Sequence, residues 1–299
     1  MSKSKGYIYG LLSSSSFGLI PLFSLPLMLS GMSTATILLY RFGFASLMVG
    51  MILLLRRQSF AISLKQLSRV FLLGSMYFCT AFLLQLGYHY MASGTATVLH
   101  FLYPIFTALI MFIFFRQRLG RLAQMAILMA VVGVGLMSGI DTGSPLSPTG
   151  AFVVLTSAVG YALYIIIVNK SGVSEIPPLL LNFYILSIAT LYYIGYSIIM
   201  GGFRLPMDGY EWSNAILLAL IPTVLSNLFL VRAIPIIGST PTSVMGALEP
   251  LTAVLVGIFV FGEPLHPSGL VGIILVLSAV LLLVWSQRLS SSTIDSSAS

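Results

Sequence analysis

Apolar residues follow one another along this chain in runs of about twenty, and short breaks rich in glycine, proline or charge separate them. A helix of that length crosses the roughly 30 Å hydrocarbon core of a bilayer. The strands of a membrane barrel would instead alternate polar and apolar residues. The pattern therefore predicts an all-α integral membrane protein. Ten transmembrane helices are expected, over residues 6–29, 33–55, 68–88, 94–115, 119–139, 149–169, 178–200, 213–232, 236–261 and 267–286.

The ninth run differs from the others because polar residues lie deep inside it. Glu249, followed by Pro250, stands near its middle. A carboxylate at this depth is costly in free energy, so Glu249 is a candidate functional residue by default. Burial in hydrocarbon also favours the neutral form of a carboxylate, which would let Glu249 exchange a proton.

The same run has a counterpart 146 residues earlier, in the fourth span. This offset aligns Ser239 with Ser93, Val244 with Val98, Leu248 with Leu102, Leu255 with Leu109, and Phe261 with Phe115. Several matches at one offset predict an internal repeat of two five-helix halves, residues 6–139 and 149–286. The polar stretch 287–299 is expected to be a disordered cytoplasmic tail.

Charge supports this class and gives the topology. Only 7% of residues are charged, the mean hydropathy is +1.05, and the net charge is +7. With both termini in the cytoplasm, twelve of the fourteen Lys and Arg residues lie on that side and only Arg204 lies outside. Such a bias indicates orientation rather than nucleic-acid binding. Because five spans separate the two halves, they enter the membrane with opposite polarity, as in many alternating-access carriers.

Polar and aromatic side chains in otherwise apolar spans are the candidate substrate contacts. We predict a cavity between the halves, lined by spans 1, 3, 4, 6, 8 and 9. The predicted substrate-binding residues are Glu249, His100, Thr97, Tyr103, Tyr77, Gln85, Asn227, Thr242, Ser243, Tyr161, Tyr164, Arg41 and Asn182.

Each of these residue types also has a purely structural interpretation. Glu249 could cap the helix break made by Pro250. Single amides and histidines in membrane helices often bond neighbouring helices, and tyrosines often pack or anchor at the interface. Arg41 could pair with Glu249, meet an anionic substrate, or extend its guanidinium toward the headgroups. Cys79, the single cysteine, cannot form an intrachain disulfide and is expected in the core.

Motifs of enzymatic or nucleotide chemistry are missing from the sequence. It contains no phosphate-binding loop, no H-E-x-x-H pair, no cysteine cluster and no G-x-S-x-G turn. We therefore expect neither an enzyme nor a bound cofactor or metal.

Several short motifs resemble the drug/metabolite transporter superfamily, in particular its EamA-type ten-helix permeases. These are Leu248-Glu249-Pro250, the sequence 262–265 (GEPL) that closes the ninth span, Arg41-Phe42, and Tyr103-Pro104. The resemblance extends over both halves. One departure is Gln117, which stands opposite Glu263 where the family often has a second acidic residue. That departure argues against a mechanism that needs both carboxylates.

The resemblance implies a secondary transporter that moves small organic metabolites, such as amino acids, across the bacterial inner membrane. It further implies export by a monomer that sits in the lipid bilayer, with a proton as a candidate coupling ion. One alternative is a broad-specificity, proton-coupled drug efflux carrier. Another, of a different class, is a non-transporting membrane sensor or scaffold.

Overall fold

A computed structural model describes residues 3–116, 120–137, 147–171, 173–264 and 266–297, without the side chains of 174, 239, 240, 243 and 287–297. All the regular secondary structure of the described chain is helical. A short 3-10 turn, Val173–Glu175, and a π-helical turn, Leu220–Leu225, add to the α-helices. The α-helices are α1 (Lys3–Phe17), α2 (Ile20–Leu29), α3 (Thr34–Leu55), α4 (Leu64–Gly87), α5 (Ser93–His100), α6 (Tyr103–Phe115), α7 (Arg121–Met137), α8 (Pro148–Lys170), α9 (Pro178–Met200), α10 (Gly209–Ala219), α11 (Ser226–Ile237), α12 (Ser239–Met245), α13 (Leu248–Phe261) and α14 (Pro267–Ser297).

The helices form ten membrane spans, three of which are interrupted within the described chain. Eight continuous or interrupted helices are long and apolar enough to cross a bilayer, and Arg121–Met137 and Leu248–Phe261 are shorter apolar helices. The first span is α1 plus α2, the fourth is α5 plus α6, and the ninth is α12 plus α13. The prediction of an all-α membrane protein with about ten helices is confirmed.

Capping residues explain two helix starts that come earlier than the hydrophobic pattern predicts. The third span begins at Leu64 rather than 68, since Ser63 and Gln66 form a reciprocal capping box. The eighth begins at Gly209 rather than 213, because the Asp208 side chain accepts a hydrogen bond from the backbone N–H of Glu211. Polar caps lie outside the apolar run, so hydropathy alone places the start too late.

Helix ends in the two halves recur at the offset read from the sequence. α5 begins at Ser93 and α12 at Ser239, whereas α6 ends at Phe115 and α13 at Phe261. The residues that follow, Arg116 and Gly262, both adopt left-handed backbone conformations, with φ of 53° and 64°. The offset of 146 residues therefore describes a structural repeat.

Packing between the halves follows a two-fold exchange of the repeats. The first span packs on the eighth through α1 and α11, and its equivalent pair, the sixth and third spans, packs through α8 and α4. The pairs that map onto themselves, α3 with α9 and α7 with α14, are also in contact, and α5 packs on α13. In this arrangement, helices of both halves surround the centre of the molecule.

An ion pair joins two segments at the end of the molecule where α2 finishes and α10 starts. Arg204 donates to both carboxylate oxygens of Glu211, at 2.8 and 2.9 Å, and its second amino group also donates to the Ser30 carbonyl at 2.9 Å. The hydrogen bond to Glu211 raises the pKa of Arg204 above its usual value. Two parallel bonds fix the guanidinium in one orientation.

Two sequence-based expectations differ from the structure. Cys79 is exposed on the outer surface rather than in the core. In a membrane helix the lipid-facing side is as apolar as the core, so the surrounding residues do not distinguish them. The stretch expected to be disordered from residue 287 continues α14 as far as Ser297. Each residue added to an existing helix gains a hydrogen bond without a new nucleation step, which lets a serine-rich end propagate.

Candidate functional site: a central cavity between the halves

The two halves enclose a cavity of about 740 Å³, a size typical of sites for small organic molecules. Among the described residues, every span except the fifth contributes to its lining. The six predicted spans are all present, and α3, α9 and α14 add Arg41, Asn182 and Val280. The interrupted fourth and ninth spans place their breaks at this cavity.

Ten of the predicted substrate-binding residues come together around this one space, although they are far apart in sequence. They are Arg41, Tyr77, His100, Tyr103, Tyr161, Tyr164, Asn182, Asn227, Thr242 and Glu249. Their contact with a solute stays a prediction.

Three other predicted residues are placed differently. Thr97 is buried outside the cavity, where its hydroxyl bonds the Ser93 carbonyl at 2.9 Å and lies 3.2 Å from the Tyr88 hydroxyl. Gln85 is buried with its amide 2.9 Å from the sulfur of Met28. The side chain of Ser243 lies outside the described atoms. Thr97 and His100 share one face of α5, but only His100, at the end of the helix, lines the cavity.

Tyrosines form one wall of the cavity. Tyr161 stacks on Tyr164 at 5.4 Å between ring centroids and meets Tyr103 edge-on at 4.8 Å, while Tyr77 lies 5.8 Å from Tyr164. None of these four hydroxyls has a hydrogen-bond partner among the described residues. The wall thus combines an apolar surface with hydroxyls that are free to bind a polar solute.

His100 is fixed beside this wall by a short chain of hydrogen bonds. The Ser157 hydroxyl donates to the Thr80 carbonyl at 2.7 Å and lies 3.0 Å from Nδ1 of His100. Since the serine proton is committed to Thr80, the serine oxygen accepts from Nδ1–H. The neutral imidazole then keeps Nε2 as an acceptor on the ring that borders the cavity.

Glu249 lies in the first turn of α13, which begins inside the membrane after the break at 246–247. The positive end of the helix dipole favours a carboxylate at this place. Within the described chain, the carboxylate neither caps α13 nor bonds another side chain. Gly18, at the break between α1 and α2, lets the Glu249 backbone approach, since a Cβ at Gly18 would lie 2.5 Å from Cβ of Thr252 and closer still to the Glu249 carbonyl oxygen.

Arg41 contributes the opposite charge to the same cavity. Its side chain is only 5% exposed, and Nε donates to the hydroxyl of Thr223 at 3.0 Å. The guanidinium therefore does not extend toward the headgroups. In the part of the chain that the structure describes, Arg41 and Glu249 do not form an ion pair, so both charges remain available to a bound molecule.

One end of the cavity is closed by the packing of α5 against α13. At this end Glu263 accepts hydrogen bonds from the backbone N–H and hydroxyl of Ser93, at 2.8 and 2.7 Å, and from the N–H of Gly94 at 3.4 Å. The backbones are close here, because a Cβ at Gly94 would lie 2.7 Å from Cα of Val254. The seal thus joins the two repeats directly.

The other end is open. Asn169 and Ile234 line the cavity and are also exposed, and the exposed cations Lys170 and Arg232 lie beside them in sequence. Across the described helices, no packing comparable to that of α5 on α13 joins α6 to α12. The cavity therefore communicates with the end of the molecule that carries these basic residues.

Sequence reasoning missed several residues of the site. Thr80 and Asn169 line the cavity, and Thr223 holds Arg41. Pro222 was the available signal for Thr223, because a proline within a membrane span frees backbone groups that a neighbouring hydroxyl can bond. The other two are single polar residues in apolar helices, which interhelical bonding explains equally well.

Comparison with known proteins supplies a family and a fold. A family model described as "EamA-like transporter family" matches residues 4–139 and 148–285. A search of curated proteins gives no match. A solved structure titled "Crystal structure of protein" superposes with a TM-score of 0.69 over 96% of this chain and 99% of that one, at 15% identity. At this identity the superposition supports the fold alone, whereas the family match confirms the resemblance seen in the motifs.

Proposed function

Since this chain belongs to the EamA-like transporter family, we propose that it carries small organic metabolites through the central cavity by alternating access. Amino acids and related polar compounds are the proposed solutes. Because every element of the cavity comes from one chain, the proposed working unit is a monomer in the bilayer.

The observation that carries this proposal is the difference between the two ends of the cavity. Exchange of the repeats turns the α5–α13 contact into a contact between α12 and α6. Among the described residues the first contact is extensive, whereas no comparable packing joins α6 to α12. A carrier with inverted repeats reaches its opposite state when the halves swap conformations. We therefore propose that closure of α6 on α12, with separation of α5 from α13, opens the cavity to the other side.

Charge supplies the proposed direction. If the basic end faces the cytoplasm, as the positive-inside bias predicts, the described conformation is open to the cytoplasm and loads solute there. We propose export across the bacterial inner membrane, with both termini in the cytoplasm.

The lining favours a polar metabolite over a broad range of apolar drugs. Arg41, Glu249 and His100 offer positive, negative and neutral polar groups, and the tyrosine wall adds hydroxyls. A promiscuous apolar site would leave these groups without partners, which is costly in a low-dielectric cavity. The same chemistry suits one bound solute with several hydrogen-bonding groups.

Purified protein reconstituted in liposomes tests the proposal. A panel of amino acids and related metabolites, together with a hydrophobic dye, is measured with and without a pH gradient. We expect saturable flux of at least one polar metabolite, a large loss of it in Glu249→Gln, and wild-type flux in Glu175→Gln, whose exposed carboxylate lies outside the cavity. Flux of the dye alone, or equal flux in Glu249→Gln and the wild type, would contradict the proposal.

A further inference from the structure

We propose that Arg41, positioned by Thr223, is the receptor for a carboxylate group of the transported solute, and that Glu249 receives a cationic group of the same molecule. This inference rests on the proposed function and specifies its substrate class as zwitterionic. Thr223 acts as a positioning residue, because it contacts Arg41 rather than the solute.

The orientation of Thr223 follows from the residue before it. Pro222 has no backbone N–H, so the Leu218 carbonyl lacks the donor that an α-helix would supply four residues later. The Thr223 hydroxyl donates to that carbonyl at 3.2 Å. The chain here forms the π-helical turn Leu220–Leu225, a distortion that is frequent at functional sites.

That bond fixes what the hydroxyl can do next. With its proton directed to Leu218, the Thr223 oxygen presents lone pairs and accepts from Nε–H of Arg41 at 3.0 Å. The guanidinium carbon also lies 5.1 Å from the centroid of the Phe42 ring. Both contacts hold the guanidinium plane in one orientation, so little side-chain entropy is lost when a ligand binds.

The remaining edge of the guanidinium has no acceptor among the described residues. Neither Nη group of Arg41 makes a hydrogen bond to a described residue, although the side chain is 95% buried and lines the cavity. A buried cation with an unpaired, planar pair of donors matches a carboxylate, which accepts two parallel bonds. Leaving such donors unpaired is costly, so a solute without an anionic group would bind less tightly.

The charge of Glu249 determines which kind of anionic solute the cavity favours. Glu249 lines the same cavity and would repel a solute with net negative charge such as a sugar phosphate. A molecule that carries an ammonium as well as a carboxylate complements both residues at once. Such a solute has no net charge, which also lowers the cost of moving it through a low-dielectric passage.

The test compares each amino acid with the amine that its decarboxylation would give, with glucose 6-phosphate as a contrasting anion. Competition for flux in liposomes and thermal stabilisation of the detergent-solubilised protein are both measured. We expect the wild type to prefer the acid over the amine by about ten-fold or more, the scale of a charge-assisted bond. Thr223→Val should raise KM for the acid about ten-fold without changing KM for the amine, and Thr223→Ser should restore the preference.

Two further variants separate positioning from folding. Arg41→Lys keeps the charge but loses the planar pair of donors. It should therefore weaken binding of the amino acid and leave binding of the amine unchanged. Thr190→Val is the control, since the Thr190 hydroxyl bonds its own helix at Leu186, at 2.7 Å, and Thr190 is not among the cavity-lining residues. It should retain the wild-type preference at normal membrane abundance.

The outcomes distinguish this inference from the proposed function. Transport of polar solutes with equal preference for acid and amine, or tighter binding of glucose 6-phosphate, would overturn the carboxylate receptor and leave transport intact. An equal rise in KM for acid and amine in Thr223→Val would overturn the positioning role. Selective stabilisation by the acid with no flux of any solute would support the Arg41 receptor and contradict the proposed function.

Discussion

Glu263 binds Ser93 across the interface between the repeats, through the backbone N–H at 2.8 Å and the hydroxyl at 2.7 Å. The carboxylate lies just beyond the end of α13, and the serine begins α5, so one side chain fastens the two helices that close the cavity. A carboxylate at a helix N-terminus also interacts favourably with the helix dipole. This contact exists in the closed end of the described conformation and must break for that end to open.

Weakening this contact should favour opening of the closed end. Glu263→Gln keeps the shape but removes the charge, and a hydrogen bond to a charged group contributes about 1.5–3 kcal/mol. We expect roughly a ten-fold gain in the labelling rate of a cysteine at the buried position Ala96, in a Cys79→Ala background. Glu175→Gln serves as the matched control. An unchanged labelling rate in Glu263→Gln would show that the carboxylate does not hold this end shut.

A methyl group at Gly94 should disturb the same seal. Its Cβ would lie 2.7 Å from Cα of Val254, so the helices must separate, at a cost of about 1–3 kcal/mol. We expect Gly94→Ala to lower the Tm of the solubilised protein by several degrees. Gly135→Ala is the control, because a Cβ there meets nothing within 4 Å. A Tm in Gly94→Ala equal to that of the control would contradict the close packing.

Glu249→Gln should weaken solute affinity without changing the pH dependence of flux. The carboxylate has no partner among the described residues, and in the sequence Gln117 takes the position that matches Glu263 at the offset of 146 residues. We therefore predict that Glu249 binds the solute rather than carrying a proton. KM should rise about ten-fold. Loss of pH-driven accumulation with normal downhill exchange would instead identify Glu249 as the coupling site.

The predicted orientation can be tested by cysteine labelling from outside the cell. Met207 is 80% exposed in the segment between α9 and α10, and Ser59 is exposed between α3 and α4. In a Cys79→Ala background, we expect an impermeant maleimide to label Met207→Cys and not Ser59→Cys in intact cells. Both should react after permeabilisation. The reverse pattern would invert the topology and, with it, the proposed export.

The sequence alone determined the architecture of this protein. A hydrocarbon bilayer requires every span to satisfy its own backbone, so apolar runs of fixed length give helices directly. The repeat at an offset of 146 residues was readable because Ser93 and Ser239 begin equivalent helices. Polar residues in apolar spans identified most of the described polar lining, including Glu249, His100 and Arg41, because such residues are costly unless they face a cavity or a partner.

Tertiary structure decided which polar residue meets the cavity, which meets another helix, and which end is closed. Thr97 and Gln85 had the same sequence signature as His100, yet both are buried outside the cavity. Cys79 was expected in the packed core and is exposed on the surface of the molecule. In membrane helices both the packed and the lipid-facing sides are apolar, so the sequence carries no amphipathic signal to separate them. Likewise, the sequence of the two repeats does not say which end of the cavity is closed, and the packing of α5 against α13 shows it.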